Sequence, residues 1–204
     1  MEAQYVGPLC FNYVPGSDEW YALRFGKIPS MLAPACLGMD PWRSPRRAWK
    51  EIMNPRSESS KFLLEMKREY EPKAIHDYAN VMDTDTCDTG VWQRSDWPIV
   101  VASPAQEVFN DGIMLLYMGK TIYRCLPLYR RVRALVQLAV TCKKFCDVVH
   151  WRNGIVSIDR VFPSGLKGLE LRLSIFHKRF ILPGKCPEKG EIPRWVLNER
   201  LGGT

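Results

Sequence analysis

One domain of the α/β (α+β) class, mixing helices with short strands, is what this sequence predicts, on three observations. Capped helical patterns fill most of the first 82 residues. Short apolar or alternating runs separated by turn residues begin at Val91. A helix, two strands and a helix then follow from Leu128.

The helices come first. Ser17 is an N-cap candidate, and Asp18 and Glu19 place negative charge where a helix N-terminus favours it. Trp20, Tyr21, Leu23 and Phe25 then make a short amphipathic helix that ends at Gly26. The stretch PSMLAPACLGMD predicts a second short helix closed by Gly38. SPRRAWKEIMN predicts a third, with Ser44 as N-cap and Pro45 at the first helical position. The longest pattern runs from Glu58 to Met82 and carries Phe62, Leu63, Met66, Tyr70, Ile75, Tyr78 and Val81. Pro72 interrupts it, and because proline removes a hydrogen bond and clashes with the preceding turn, a kink or a junction of two helices is expected near Glu71. The polar segment from Asp83, containing TDTCDTG, is expected to be a loop.

The strands follow. VWQR, WPIVVAS, GIMLLYMG and TIYRCL are strand candidates, and NDG at 110–112 is a hairpin turn signal. A helix is expected from Leu128 to about Thr141, then strands FCDVVHW and IVSIDRVF joined across RNG, then a helix from about Leu166 to Phe180. The resulting division is an N-terminal extension at 1–15, one domain at 16–182 and a C-terminal tail at 183–204, rich in Pro, Gly and Lys and expected to be loosely held.

At 204 residues, of which 46% are hydrophobic, the chain is long enough for one sizeable core and short for two independent ones. The net charge of +7 permits an anionic partner without requiring one. Between Asp111 and Asp147 there is no acidic residue, whereas Lys120, Arg124, Arg130, Arg131, Arg133, Lys143 and Lys144 all fall there. Such a segment is either a solvated helix face or a nucleic-acid contact. The seven cysteines show no CxxC spacing, and His76, His150 and His177 complete no zinc pattern, so buried thiols in a reducing compartment are expected. With no basic leader and no apolar run of about 18 residues, the reading is an intracellular, soluble protein without a membrane partner.

Three stretches resemble one family. GSDEWYALRFGKI is similar to the opening Gly-Ser-x-x-Trp-x-x-x-Arg-x-Gly-x-Ile of the phage lambda exonuclease and YqaJ-type viral recombinase nucleases, and LGMDPWRSP to their Leu-Gly-x-x-Pro-x-x-Ser-Pro. EYEPKAIHDY resembles their Glu-Pro-x-Ala-x-x-x-Tyr. LAVTCKKFCDVVHW resembles their Leu-Ala-Val-Thr-Gly-x-x-Trp-Cys-Asp-Phe-Val-Val-Trp. The pieces keep the family's order across residues 16–182. The resemblance implies a single restriction-endonuclease-like, PD-(D/E)XK domain: a central mixed β-sheet flanked by helices.

In that family a helix Glu, a strand Asp, a Glu two residues before a Lys, and a Gln on the next helix surround one or two magnesium ions. Carboxylates hold the hard cation, which lowers the pKa of an attacking water and stabilises charge on the phosphate. Alternate strand positions face one side, hence the spacing of two. Carried onto this chain, Glu71 matches the helix Glu, ASPAQ puts Ala105 at the Asp, and GIMLLYMG puts Leu115 and Tyr117 at the Glu and Lys. The usual Gln pair reads Arg133 and Leu135, leaving Gln137 as the nearest amide. A register shift of one brings Leu116 and Met118, which ligate no better. The resemblance thus implies vestigial positions at Glu71, Ala105, Leu115 and Tyr117, with no catalytic residue, metal or cofactor. Apolar packing is expected to fill the old site.

The DNA-contacting positions fare differently. Arg24 and Lys27 fall in the motif whose Arg reaches a phosphate in the family, Ser30 and Ser103 keep hydroxyls in the equivalent loops, and Lys120, Arg130, Arg131 and Arg133 add charge beside the cleft. The rival reading pairs Arg24 with Asp18 or another carboxylate and turns the helix arginines to solvent. Trp92, Trp97 and Trp151 are either base-stacking platforms or core. The function implied is a catalytically degenerate, lambda-exonuclease-like viral protein that binds DNA or assembles with copies of itself or other viral proteins. One alternative is an active magnesium-dependent DNA exonuclease with a displaced site at Glu71, Glu107 and Asp111. Another is a structural, virion-associated protein that binds no nucleic acid.

Overall fold

The computed structural model describes residues 7–56, 58–119, 123 and 125–188, and between 58 and 67 the backbone alone. The order is β1 (Pro8–Phe11), α1 (Asp18–Arg24), β2 (Ile28–Pro29), α2 (Ala33–Cys36), α3 (Pro45–Met53), α4 (Glu58–Met82), β3 (Thr86–Cys87), β4 (Val91–Arg94), β5 (Trp97–Ala102), β6 (Gln106–Val108), β7 (Gly112–Met118), α5 (Leu128–Thr141), β8 (Phe145–Arg152), β9 (Ile155–Val161) and α6 (Leu166–Phe176), which runs into a π-helical turn at His177–Ile181.

Local chemistry accounts for the first helices. Ser17 Oγ accepts from the Trp20 N–H at 3.2 Å, and Ser44 Oγ from the Arg47 N–H at 3.3 Å, so both caps form as expected and each contributes about 1 kcal/mol. Helix α4 is continuous through Pro72, and no junction divides it. Pro72 and Arg68, whose carbonyl loses its donor, are both exposed, so water can satisfy that carbonyl.

Two mixed sheets replace the single one expected. One has the order β1-β4-β5-β2 and the other β3-β6-β7-β8-β9, with parallel pairs at β2/β5 and β7/β8. Strand β1 pairs with β4 along Pro8–Phe11, so part of the expected N-terminal extension belongs to a sheet. The turn at NDG forms: Asn110 and Asp111 have φ of 65° and 70°, a conformation short polar side chains tolerate. At Gly112 an added Cβ would meet the Phe145 ring at 2.3 Å, so only glycine lets β7 pass β8 there. Asn153 and Gly154 make the two-residue β8–β9 hairpin with positive φ. TIYRCL lies partly outside the described residues, and its described members Tyr123, Cys125 and Leu126 are not in a strand.

Helix α5 is buried over most of its circumference and packs against β4, β5, β8, α2 and α6, so it joins the two sheets. Its core includes Ile113, Val132, Leu135, Leu138, Cys146 and Val148. Across the five-stranded sheet, α4 covers a smaller cluster of Tyr78, Val108, Met114, Phe145 and Val149. Under it Asp147, with no exposed surface, accepts from Tyr78 Oη at 2.6 Å and from Arg160 Nε and Nη2 at 2.7 and 2.8 Å.

The tryptophans are core: Trp92, Trp97 and Trp151 are buried, and their indole N–H groups donate to Thr89, Ser174 and Asp77. They are not stacking platforms. Of the thiols expected to be buried, only Cys36 and Cys146 are; Cys10, Cys87, Cys125 and Cys142 are exposed. No helix among the described residues is long and apolar enough to cross a membrane.

Candidate nucleic-acid interface

Strand alternation divides the positions where the family holds its metal. On β7, Leu115 and Tyr117 pack toward the main core with α5, whereas Met114 and Leu116 meet the α4 cluster. The structure thus brings Leu115 and Tyr117 together on one face. Ala105 lies beside them in the pairing, its N–H donating to the Met114 carbonyl at 2.8 Å, but its side chain packs with the α4 cluster. Glu71 is half-buried on α4, the helix of that opposite face. None of Ala105, Leu115 and Tyr117 offers a carboxylate or an amine.

The surroundings of Tyr117 are less apolar than expected. The Arg130 guanidinium sits 4.0 Å from the Tyr117 ring centre, and Arg133 Nη1 donates to Tyr117 Oη at 3.4 Å. His150, from the neighbouring β8, lies 5.5 Å from the same ring. Leu115 does pack as apolar filling, but cations and aromatic rings occupy the lysine end.

The displaced acidic set is answered from within the protein. Lys143 Nζ bridges Glu107 Oε2 at 2.8 Å and Asp111 Oδ1 at 3.1 Å, and Lys144 lies 4.0 Å from Asp111. Both carboxylates neighbour each other because Glu107 stands on β6 and Asp111 in its hairpin, and Lys143 follows α5. Glu71 lies seven residues, about 10 Å of helix, before Tyr78, on the side away from Met82 and the β3–β6 pairing. Among the described residues no three His, Cys, Asp or Glu side chains group as a metal site.

The positions expected to contact phosphate converge. Ser30 and Ser103 follow the parallel strands β2 and β5, whose register sets Pro29 beside Val101, and the Ser30 N–H donates to the Val101 carbonyl at 2.8 Å. Arg24, from the end of α1, places Nη1 3.5 Å from Ser103 Oγ and its guanidinium 4.1 Å from the Trp20 ring centre. Gln137 of α5 donates from Nε2 to Ser30 Oγ at 3.3 Å, while its Oε1 is buried without a hydrogen-bond partner among the described residues. The carboxylate expected as a rival partner is taken: Asp18 pairs with Arg56 at 2.5 Å. Among the described residues no carboxylate pairs with Arg24, and burial pushes its pKa down to about 10. Lys27, at the turn after α1, is half-buried, and burial lowers its pKa too.

A cation held in low dielectric without a counter-ion is costly, and an arriving anion relieves that cost. Two hydroxyls, a guanidinium and an amide at the carboxyl ends of parallel strands suit a phosphate oxygen set.

The three helix arginines part company. Arg131 is exposed to solvent, Arg130 is half-buried under tyrosine rings, and Arg133 is buried and paired through Nη2 with Asp40 Oδ2 at 2.9 Å. They do not form one basic surface. Lys120 lies outside the described residues. Asp40, Tyr129 and His150 were missed by sequence reasoning; Asp40 is 93 positions from Arg133, and no local pattern links them.

No protein-family model matches the sequence, and no curated protein resembles it significantly. Among solved structures, an alkaline exonuclease from Laribacter hongkongensis superposes with a TM-score of 0.64 at 18% identity, over 82% of this chain and 95% of that one. The same exonuclease in complex with dAMP superposes with a TM-score of 0.66 at 17% identity and the same coverage. The two sheets, the helices that flank them and this likeness together establish a single nuclease-like α/β fold for the chain.

Proposed function

We propose that this protein is a catalytically degenerate, lambda-exonuclease-like (YqaJ-type) DNA-binding protein: it keeps the phosphate-binding end of the nuclease cleft and has lost the metal-binding end. The observation that carries the reading is Arg24, half-buried without a carboxylate partner among the described residues and set between Trp20 and the Ser103 hydroxyl. The complex of the similar exonuclease with dAMP supports a fold of this kind accommodating a nucleotide phosphate.

Catalysis in such folds rests on carboxylates around magnesium, and Ala105, Leu115 and Tyr117 supply none. The binding function needs no cofactor; magnesium enters only in the alternative, an active exonuclease with a displaced site, and there Lys143 already holds Glu107 and Asp111. A viral setting, and assembly as a homo-oligomer or with other viral proteins, follow from the family resemblance. A virion-associated structural role without nucleic acid is the remaining alternative.

Fluorescence anisotropy with 5′-phosphorylated DNA at low salt, in EDTA, tests the reading. Binding is expected, weakening steeply with salt and reduced on removing the terminal phosphate. Magnesium or manganese is expected to bring no degradation of linear duplex. Degradation that Glu71→Ala abolishes overturns the degenerate reading, and absence of any binding leaves the structural alternative.

A further inference from the structure

Arg130, Arg133 and Gln137 occupy one stripe of α5, three and four residues apart. The Gln137 end of that stripe reaches Ser30 in the Arg24 pocket; the other end reaches Tyr117 and His150. Polar capacity at this second end is left open. Arg130 Nε donates to Tyr129 Oη at 3.1 Å, but Nη1 is buried without a hydrogen-bond partner among the described residues. Arg133 uses Nη2 on Asp40 and Nη1 on Tyr117, but Nε is buried without a hydrogen-bond partner among the described residues. His150 is 2% exposed, and neither ring nitrogen has a hydrogen-bond partner among the described residues.

Buried donors without partners are rare in folded proteins, and a cluster of them calls for something that accepts. Charge sets its sign. Two guanidiniums face one carboxylate among the described residues, Asp40, so one positive charge is left over. Burial and the Arg130 charge push His150 down to about 4, so its ring is neutral at ordinary pH and supplies one N–H without adding charge. The open set is therefore two guanidinium N–H groups and one imidazole N–H around a single excess charge. Acceptor oxygens on a singly charged group match it, and a phosphodiester carries just that.

The geometry supplies the source. Arg130 lies seven residues, about 10 Å, along α5 from Gln137. A strand spaces its charges by about 3.4 Å along the axis of a duplex and more widely when extended, so that separation spans at most about three nucleotides. We propose that Arg130, Arg133 and His150 form a metal-free seat for an internal phosphodiester of the DNA strand whose terminal phosphate lies against Arg24. The seat stands against Tyr117, the position that the resemblance aligns with the family's lysine, and there guanidiniums face the cleft. It rests on the DNA-binding reading of the same cleft and assigns the strand's path through it.

The test uses a short single-stranded oligodeoxynucleotide with a 5′-phosphate or a 5′-hydroxyl, in EDTA. Arg130→Met is expected to weaken binding of both by about tenfold and to lower the slope of log affinity against log salt by about 0.7, leaving the preference for the 5′-phosphate intact. Arg24→Met is expected to remove that preference. Wild-type binding together with an unchanged affinity and slope in Arg130→Met overturns the seat and leaves the DNA reading standing; no wild-type binding overturns both. In the unaltered protein, the His150 ring NMR resonances are expected to move as the oligonucleotide saturates and to stay in place with inorganic phosphate at the same phosphate concentration. No movement at saturation overturns the seat, and an equal response to inorganic phosphate overturns its assignment to a strand.

Discussion

Lys143 and Arg24 are two cations in opposite situations. The first lies between two carboxylates within 3.1 Å, and these raise its pKa against the opposing effect of burial; the second has none among the described residues and is held down by burial. Both sit in the loops and helix ends around the sheets. A basic composition alone does not separate them. Where the protein answers a charge itself, the charge contributes to folding; where it leaves one unanswered, the charge is available to a ligand.

Asp147 gives the largest expected effect on this contrast. It is fully buried and answered by Arg160 and Tyr78, so Asp147→Asn is expected to cost about 3 kcal/mol in chemical unfolding while leaving DNA binding in place. An equal loss of binding would show that answered charges also serve the ligand. Arg24→Met is the inverse case: a loss of DNA affinity on the order of tenfold or more, about 2 kcal/mol, with a melting temperature that holds or rises. If instead the melting temperature falls sharply, Arg24 has a structural partner and the contrast fails.

His150 sharpens the comparison through pH. Its folded pKa of about 4 lies below the ordinary 6.5, so the unfolded chain binds the proton more readily and stability falls as pH drops through 6.5. Between pH 7 and 5 the expected loss is about 1.5 kcal/mol, and His150→Phe should flatten that part of a urea-denaturation profile. The smallest effect is at the rim. Lys143→Met is expected to cost about 1 kcal/mol, since both its partners are partly exposed. Isothermal titration with manganese then asks whether Glu107 and Asp111, freed of the lysine, bind a cation; tight binding would revive the displaced-site alternative.

The parts of the fold legible in the sequence share a physical cause. Ser17 and Ser44 cap helices through hydroxyls three residues from the N–H they accept, and the Asn153-Gly154 turn needs only its own two backbones. Strands β1, β2 and β6 were not legible, because two to four residues become a strand only when a distant partner pairs with them. At the candidate site Arg24, Ser30 and Ser103 were legible through a motif, but their convergence was not. Asp18 looked available to Arg24 until Arg56, 38 positions away, proved to hold it.

By itself the sequence determined the helices, the hairpin turns and which side chains stand at the positions that the resemblance aligns with a metal site, since residue identity and short-range hydrogen bonding suffice for these. Only the tertiary structure decided which charges are answered. Asp40 reaches Arg133, Lys143 reaches Glu107, and no carboxylate among the described residues reaches Arg24, because ion pairing depends on approach within about 4 Å between groups that the chain separates by tens of residues.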